Sequence, residues 1–147
     1  MKATYQLPCN IAQTLNLVGD RWTLLILHEI LIGNIRFKDI KTNLNGISSN
    51  LLSDRLKFLQ ETGLISTELY SKHPPRYGYH LTESGKDLEH VFNAFILWGE
   101  KHLDRCYKKL VHNKCNHPIR VSYYCTHCEE NVEDFSVVEV EKENDVI

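Results

Sequence analysis

The side chains best suited to chemistry in this 147-residue chain are cysteines and histidines in the segment KCNHPIRVSYYCTHC. Cys115 and His117 form one close pair, and Cys125 and Cys128 form a second pair after an interval of seven residues. Thiolates and imidazoles are preferred ligands of Zn²⁺, and structural zinc sites use four of them. We therefore predict a closed structural zinc site made of these four residues, without the open position that zinc catalysis requires.

The spacing of these residues leaves alternatives open. Cys-x-His is a tighter pair than the usual interval of about two to four residues between zinc ligands. His112 or His127 could therefore replace His117, and the segment could also hold no metal. A redox pair at Cys125 and Cys128 is not favoured, because such pairs are typical of a helix start in a βαβ unit, which the sequence does not predict.

Another thiol, Cys9, directly precedes the first predicted helix, for which Asn10 is the expected N-cap. The free N–H groups at a helix N-terminus stabilise a thiolate, which is the nucleophilic form of cysteine. Cys9 is therefore a candidate reactive thiol, and the alternative is a small buried apolar side chain. The chain has five cysteines, an odd number that argues against a disulfide framework.

A polar face is predicted on the helix formed by SSNLLSDRLKFLQETG, residues 48–63. Ser48 is a good N-cap, and Gly63 stands where a helix ends in a left-handed residue. Four leucines share the apolar face: Leu51, Leu52, Leu56 and Leu59. The opposite face, called the reading face below, has no large apolar residue and consists of Ser49, Asn50, Ser53, Asp54 and Lys57.

Two groups of cationic side chains flank this helix in the sequence. The first belongs to a short predicted helix over residues 36–44 and consists of Arg36, Lys38 and Lys41. The second lies at the proline-stiffened tip of a hairpin, which alternating residues within 65–81 predict. These residues, called the tip cations below, are Lys72, His73 and Arg76.

The remaining elements form a scaffold for these side chains. Apolar residues at helical spacing predict a helix over 10–32 and a long helix over 83–111 that Thr82 caps. The long helix has more apolar surface than a small domain can cover, which predicts a partner subunit. The fold class is α+β, mainly α: a winged helix-turn-helix with a long C-terminal dimerisation helix. Residues 1–112 form the DNA-binding and dimerisation domain, and 113–147 form a small ribbon-like segment with an acidic tail.

A helix with an apolar back and a polar front fits the major groove of DNA, where its N-terminal residues meet the base edges. Asn50 suits a bidentate adenine contact, Ser49 and Ser53 suit bases or phosphates, and Lys57 suits a phosphate. Asp54 either accepts from cytosine or holds a neighbouring cation, and Ser48 is counted with the DNA-binding set. Arg36, Lys38, Lys41 and the tip cations would neutralise backbone charge. The alternative for each residue is an ordinary solvated position.

These elements resemble the HxlR family of winged helix-turn-helix transcription regulators, which are relatives of the MarR regulators. The resemblance covers about residues 9–100, and its most specific parts are Gly19 and Trp22 with LLIL, RFKDI with GIS, and PPRYGYHLT. It implies a homodimeric repressor or activator that binds double-stranded operator DNA, with the first and last helices at the dimer interface. It also implies that Cys9 senses oxidants or electrophiles, and that the tail is a zinc segment found in some relatives.

Composition narrows the function classes. Residues 1–112 hold 14 Lys+Arg and 11 Asp+Glu, a net charge of +3, whereas residues 113–147 hold 3 and 8, a net charge of −5. An enzyme is not expected, because the sequence has no glycine-rich phosphate loop and no nucleophile beside an evident base. The start has no signal-peptide pattern and the longest apolar run, LLILHEILI, is too short for a bilayer, so we expect a cytoplasmic protein without membrane contact. The alternative function is a winged-helix protein-interaction module that does not bind specific DNA.

Overall fold

The computed structural model describes residues 4–140, which divide into two compact units, 4–96 and 97–140. The helices are α1 (Asn10–Val18), α2 (Thr23–Leu31), α3 (Phe37–Asn43), α4 (Ser49–Glu61), α5 (Glu83–Asp87) and α6 (Glu89–His102). The strands are β1 (Ile65–Lys72), β2 (Pro75–Leu81), β3 (Tyr123–Cys125) and β4 (Glu130–Val132). The division between the units falls inside α6, whereas the sequence predicted a domain boundary after residue 112; that a separate domain begins at 113 stays a prediction.

The single helix predicted over residues 10–32 is wrong, because the chain forms two helices there. The backbone N–H of Gly19 donates to Leu15 O at 2.8 Å and closes α1. The Asp20 carboxylate then accepts from the backbone N–H groups of Trp22, at 3.0 Å, and Thr23, at 3.2 Å. It thereby satisfies free donors at the start of α2. The N-cap of α1 is Cys9 and not Asn10, which is already the first helical residue.

The core of the first unit lies between α2, α3, α4 and the first strand. Its fully buried apolar side chains come from every one of these elements and from the turn before α4: Ile26, Leu27, Ile40, Ile47, Leu52, Leu56, Leu59 and Ile65. The three leucines of α4 in this set are no more than 2% exposed. Burial of one such side chain contributes about 1.5–3 kcal/mol. This apolar packing fixes the rotation of α4 about its axis.

The turn between α3 and α4 completes a helix-turn-helix. Ser48 Oγ accepts from the backbone N–H of Leu51 at 3.1 Å, which confirms the predicted N-cap. At the other end, Gly63 has a φ of +76°, the left-handed conformation predicted for the residue that stops the helix. The short helix predicted over 36–44 is confirmed as α3, one residue shorter at each end.

The predicted hairpin is confirmed as β1 and β2, which pair antiparallel from Ile65↔Leu81 to Lys72↔Pro75 at the tip. The chain just before α3 attaches to β2. The backbone N–H of Tyr79 donates to Ile35 O at 2.8 Å, and Arg36 forms a bridge with Gly78. The hairpin is therefore fastened to the helix-turn-helix by backbone hydrogen bonds, as a wing of that fold.

The long helix predicted over residues 83–111 is wrong in its continuity and in its end. Thr82 Oγ1 does accept from the Gly85 N–H at 3.3 Å, which confirms the predicted cap of α5. At Leu88 the chain tightens, because the Leu88 N–H donates to Gly85 O and the Val91 N–H donates to Leu88 O, three residues back in each case. α6 then starts at Glu89 and ends at His102, so the C-terminal helix has 14 residues.

The second unit contains the predicted ribbon-like segment. β3 and β4 pair antiparallel, with Tyr123 opposite Val132, and the Tyr123 ring packs on Phe135 at 4.5 Å between centroids. An isolated bridge joins Val111 and Pro118. Residues 135–140 are not part of a strand, and the acidic end, 141–147, lies outside the described residues. Across residues 4–140, no helix has both the length and the apolar character needed to cross a membrane.

Candidate nucleic-acid interface

The reading face of α4 is open. Ser49, Asn50, Ser53, Asp54 and Lys57 are all exposed, whereas Leu52 and Leu59 on the opposite side of the helix are fully buried. The contrast arises from the spacing of the leucines, which binds one side of the helix to the core. Hydrogen-bonding side chains therefore project from a helix whose orientation the core sets.

Two members of the predicted DNA-binding set already make contacts on α4. The Ser48 hydroxyl is the helix cap and accepts from Leu51 N–H, so its side chain holds the helix start where base contacts would be made. Lys57 Nζ lies 3.9 Å from Glu61 Oε1, with both side chains exposed. An exposed pair of this kind is worth about 0–1 kcal/mol, so Lys57 can exchange its partner for a phosphate at little cost.

The structure brings the two predicted cationic groups to one cleft. The cleft has a volume of about 690 Å³ and lies between the start of α3 and the hairpin. Three cations from these two groups line it: Arg36, Lys38 and Arg76. The Arg36 guanidinium stacks over the Tyr70 ring at 4.9 Å from the centroid, which orients an otherwise flexible cation. Asp39 also lines the cleft and reduces its positive charge.

The rest of the cationic set is also at the surface, with one exception. The tip cations are all exposed, and the hairpin tip is held by a hydrogen bond from Ser71 Oγ to Pro74 O at 3.0 Å. Lys38 is exposed, whereas Lys41 is partly buried on α3. The hairpin therefore presents its charges on a short, well-defined turn.

Tyrosines and a glutamine join this surface without having been predicted. Tyr77 lines the 690 Å³ cleft and also a second cleft of about 330 Å³, which Ser53 and Lys57 line from α4. Gln60 lines the second cleft and donates to Thr67 Oγ1 of β1 at 3.3 Å. Tyr79 lines both clefts. Burial raises the pKa of its phenol, which therefore stays neutral there. The alternation of Tyr77 and Tyr79 in β2 could have signalled two aromatic side chains on the same face of the strand, and of these Tyr77 is exposed and Tyr79 is partly buried.

An ion pair joins α4 to the residues that precede the start of α2. Arg55 Nε lies 3.5 Å from Asp20 Oδ1, with side chains that are 22% and 9% exposed. Because Asp20 also accepts from Trp22 and Thr23, it links the start of α2 to α4. Arg55 therefore acts as a buttress of α4. The ion pair of Asp20 with Arg55 was not predicted, since the two residues lie far apart in the sequence.

Cys9 lies at the N-cap of α1 and is exposed. The alternative of a small buried side chain is therefore wrong. Its backbone carbonyl accepts from the Gln13 N–H at 2.9 Å, while its side chain makes no capping hydrogen bond. The thiol is thus open to solvent beside the first turn of a helix.

Of the two predicted ligand pairs in the tail, Cys125 and Cys128 are in contact, whereas Cys115 has a different histidine beside it. Cys115 Sγ lies 3.4 Å from His112 Nδ1, so the predicted partner of Cys115, His117, is not the histidine in contact with it. The backbone N–H groups of Cys128 and His127 hold the pKa of the Cys125 thiol below its usual value. Among residues 4–140, no group of three or more metal-ligating side chains of His, Cys, Asp or Glu is gathered at one point.

Comparison with known proteins places this surface in a family. The sequence matches the HxlR-like helix-turn-helix family over residues 17–107. An uncharacterised HTH-type transcriptional regulator of Mycobacterium tuberculosis is 40% identical over 126 residues, which cover 84% of this chain and 79% of that protein. The solved structure of PA1607, described as a transcription factor, has a TM-score of 0.76 and 27% identity, and the match covers 92% of this chain and 97% of that one. The redox regulator HypR in its reduced form is 28% identical with a TM-score of 0.61, over 65% of this chain and 95% of that one.

The family match spans α2 to α6 and so includes the helix-turn-helix, the hairpin and the surface they form. The matched relatives are transcription regulators, as the order of elements in the sequence predicted. The chain therefore belongs to the HxlR family of helix-turn-helix transcriptional regulators.

Proposed function

We propose that this regulator binds operator DNA as a homodimer, with the reading face of α4 in the major groove and the hairpin beside it. Asn50 makes a bidentate contact to adenine, and Ser49 and Ser53 contact bases or phosphates. Lys57, Arg36 and the tip cations bind phosphates and fix the register of the protein on the duplex.

The observation that carries this proposal is the contrast between the two sides of α4. Three of its leucines are fully buried and its polar side chains are exposed, at the N-terminal end where a recognition helix meets base edges. A merely solvated helix would need no cationic surroundings, yet Arg36, Lys38 and Arg76 line one cleft at the adjoining hairpin. Charge and hydrogen-bonding groups thus occur on the same side of the winged fold.

Exposed apolar side chains support the homodimer. Ile11 and Leu15 of α1 are 72% and 44% exposed, and Phe95 and Trp98 of α6 are 63% and 60% exposed. Large apolar groups left in water on two helices are typical of surfaces that a partner covers. A two-fold dimer buries the same patch on both subunits. It also presents two copies of α4 to two half-sites of a pseudo-palindromic operator.

The experiment is a titration of the full chain against fluorescent DNA from upstream of its own gene, with a shuffled sequence of equal length as competitor. We expect Asn50→Ala to reduce the preference for the specific site by about 1–3 kcal/mol, because alanine cannot form the two hydrogen bonds to adenine. Binding to the shuffled DNA should change little.

Asn113→Ala is the matched control, since it makes the same chemical change at an exposed residue of the second unit. If Asn50→Ala weakened the binding to specific DNA and to shuffled DNA equally, this result would contradict base reading by α4. No retention on either DNA or heparin would instead favour the protein-interaction module.

We also propose that Cys9 is a thiol sensor that changes the affinity for DNA. Its thiol is exposed at the start of α1, beside the apolar residues assigned here to the dimer interface. HypR, which is 28–29% identical to this chain, is known in a reduced and an oxidised form as a redox regulator. Modification of Cys9 would disturb the packing of α1 on the partner subunit and so the spacing of the two reading helices.

A further inference from the structure

The C-terminal segment holds a defined backbone without a hydrophobic core. From residue 103 to residue 140, every residue is exposed except Leu110, Cys125 and Val132, which are partly buried. The segment nevertheless contains the β3–β4 hairpin and the Val111–Pro118 bridge. Protein units too small to bury a core are usually held by disulfides, a metal ion or oligomerisation. The cysteines of this segment are free, so no disulfide holds it.

Two turns in this segment have the same spacing of possible metal ligands and the same backbone conformation after them. His112 and Cys115 are three residues apart in the turn that the Val111–Pro118 bridge closes. Cys125 and Cys128 are three residues apart in the turn that joins β3 to β4. In each turn the residue directly after the second member has a positive φ: 56° at Asn116 and 57° at Glu129.

The hydrogen bonds fold each turn back on its first member. In the first turn, the N–H groups of Cys115 and Asn116 donate to His112 O at 3.3 and 2.7 Å. In the second turn, the Cys128 N–H points at Cys125 Sγ at 3.5 Å. Such turns bring two side chains at i and i+3 to the same side of the backbone. A left-handed residue at a non-glycine position is uncommon, and its repetition at equivalent positions indicates a shared purpose.

The first pair already has the separation of two ligands on one ion. His112 Nδ1 lies 3.4 Å from Cys115 Sγ. With bond lengths of about 2.3 Å for Zn–S and about 2.0–2.1 Å for Zn–N, a tetrahedral ion holds its sulfur and nitrogen ligands ~3.5 Å apart. We infer that a structural Zn²⁺ ion binds His112 Nδ1 together with the thiolates of Cys115, Cys125 and Cys128, with one ligand pair from each turn.

The two pairs must come together when the ion binds, because no group of three such side chains is gathered within residues 4–140. Residues 119–122, which join the two turns, belong to neither strand. Binding releases the three thiol protons to solvent, and the neutral imidazole gives its Nδ1 lone pair, so the site carries one net negative charge. The ion would then replace the missing core of the segment.

His112 is favoured over the other two histidines by position. His117 lies across the first turn, where its backbone carbonyl accepts from the His112 N–H at 3.0 Å. His127 Nδ1 lies 3.8 Å from Cys128 Sγ, but its neighbour Cys128 already belongs to the i, i+3 pair of that turn. The spacing Cys-x-His, from which the sequence suggested His117, is thereby replaced by the spacing His-x-x-Cys.

The experiment measures zinc in the full chain, purified with reductant, loaded with Zn²⁺ and dialysed against a weak chelator. We expect one tightly bound zinc per chain in the unchanged protein and in the matched controls His117→Ala and His127→Ala. His112→Ala and Cys115→Ser should lose it. Loss of a residue that only supports a ligand weakens binding by about 10–100-fold. Loss of a ligand should therefore weaken it by ~100-fold or more in competition with a chromophoric chelator.

A rescue variant guards against simple misfolding. His112→Cys supplies a fourth thiolate and should restore the zinc, with a stronger thiolate-to-cobalt charge-transfer band when Co²⁺ replaces Zn²⁺. The assignment of His112 would be overturned if His117→Ala lost the metal and His112→Ala kept it. Failure of the reduced, zinc-loaded unchanged protein to retain metal would overturn the site as a whole.

Discussion

At the scale of single residues, two helix caps were predictable, whereas contacts that depend on how elements pack were not. Ser48 and Thr82 cap helices as their positions in the sequence indicated, because a cap depends only on the next three residues. The role of Asp20 depends on Arg55, which approaches it only when α4 packs on the core. The contact between His112 and Cys115 was not predicted for a related reason. The turn that contains both residues is closed by the bridge between Val111 and Pro118.

The residue-scale prediction concerns Cys9. Treatment with a quinone should form a bond between Cys9 Sγ and a ring carbon that bears a hydrogen. The thiol proton passes to one quinone oxygen and the proton of that ring carbon passes to the other, which gives a substituted hydroquinone. We expect the affinity for operator DNA to fall about 5–150-fold, the usual range of coupling between two sites. Fluorescence anisotropy measures the affinity, and mass spectrometry of peptides locates the adduct.

Cys9→Ser should bind DNA normally before treatment and remain unaffected by the quinone. Cys106→Ser, which removes another exposed thiol, should respond as the unchanged protein does. The sensing role of Cys9 is wrong if the Cys9→Ser protein loses affinity to the same extent.

At the scale of elements, hydrophobic periodicity located the helices and strands from α1 to α6. It predicted one helix, however, for each of the neighbouring pairs α1–α2 and α5–α6. The apolar spacing continues through Gly19 to Trp22 and through Leu88, so the pattern alone predicted one helix where there are two in each place. The first break depends on the side chain of Asp20. The second depends on a tightening of the backbone that has no distinct residue pattern. The hairpin was found because alternation and two prolines mark it clearly.

The element-scale prediction concerns the hairpin as an electrostatic wing. Arg76→Ala should weaken binding to specific and shuffled DNA alike, because a phosphate contact carries little sequence information. The slope of log K against log salt concentration should flatten by about 0.9, because the variant neutralises one phosphate fewer and releases fewer counterions. Titrations across a series of salt concentrations measure both effects.

Lys86→Ala is the control, since Lys86 is an exposed cation of α5 and does not belong to the hairpin tip. It should leave the slope unchanged. An unaltered slope in both Arg76→Ala and Lys72→Ala would show that the hairpin tip does not contact the duplex.

At the scale of the whole molecule, a single chain defines the surface but not the assembly. The sequence indicated a partner subunit through a surplus of apolar surface, and Ile11, Phe95 and Trp98 are exposed accordingly. The predicted long helix was too long, so the apolar surface of the C-terminal helix is confined to the 14 residues of α6. How two chains meet depends on shape complementarity between subunits, which the pattern of one sequence does not specify.

Hydroxyl-radical footprinting of the full chain on its upstream DNA is the most direct test of whether a dimer binds the operator through its two α4 helices. Two reading helices related by a two-fold axis should protect two segments whose centres lie about 10–10.5 base pairs, or a multiple of this, apart. Phe95→Glu should place a charge in the interface and abolish this paired pattern, with light scattering reporting monomers. A single protected segment, or protection that is equal on shuffled DNA, would contradict operator reading by two α4 helices.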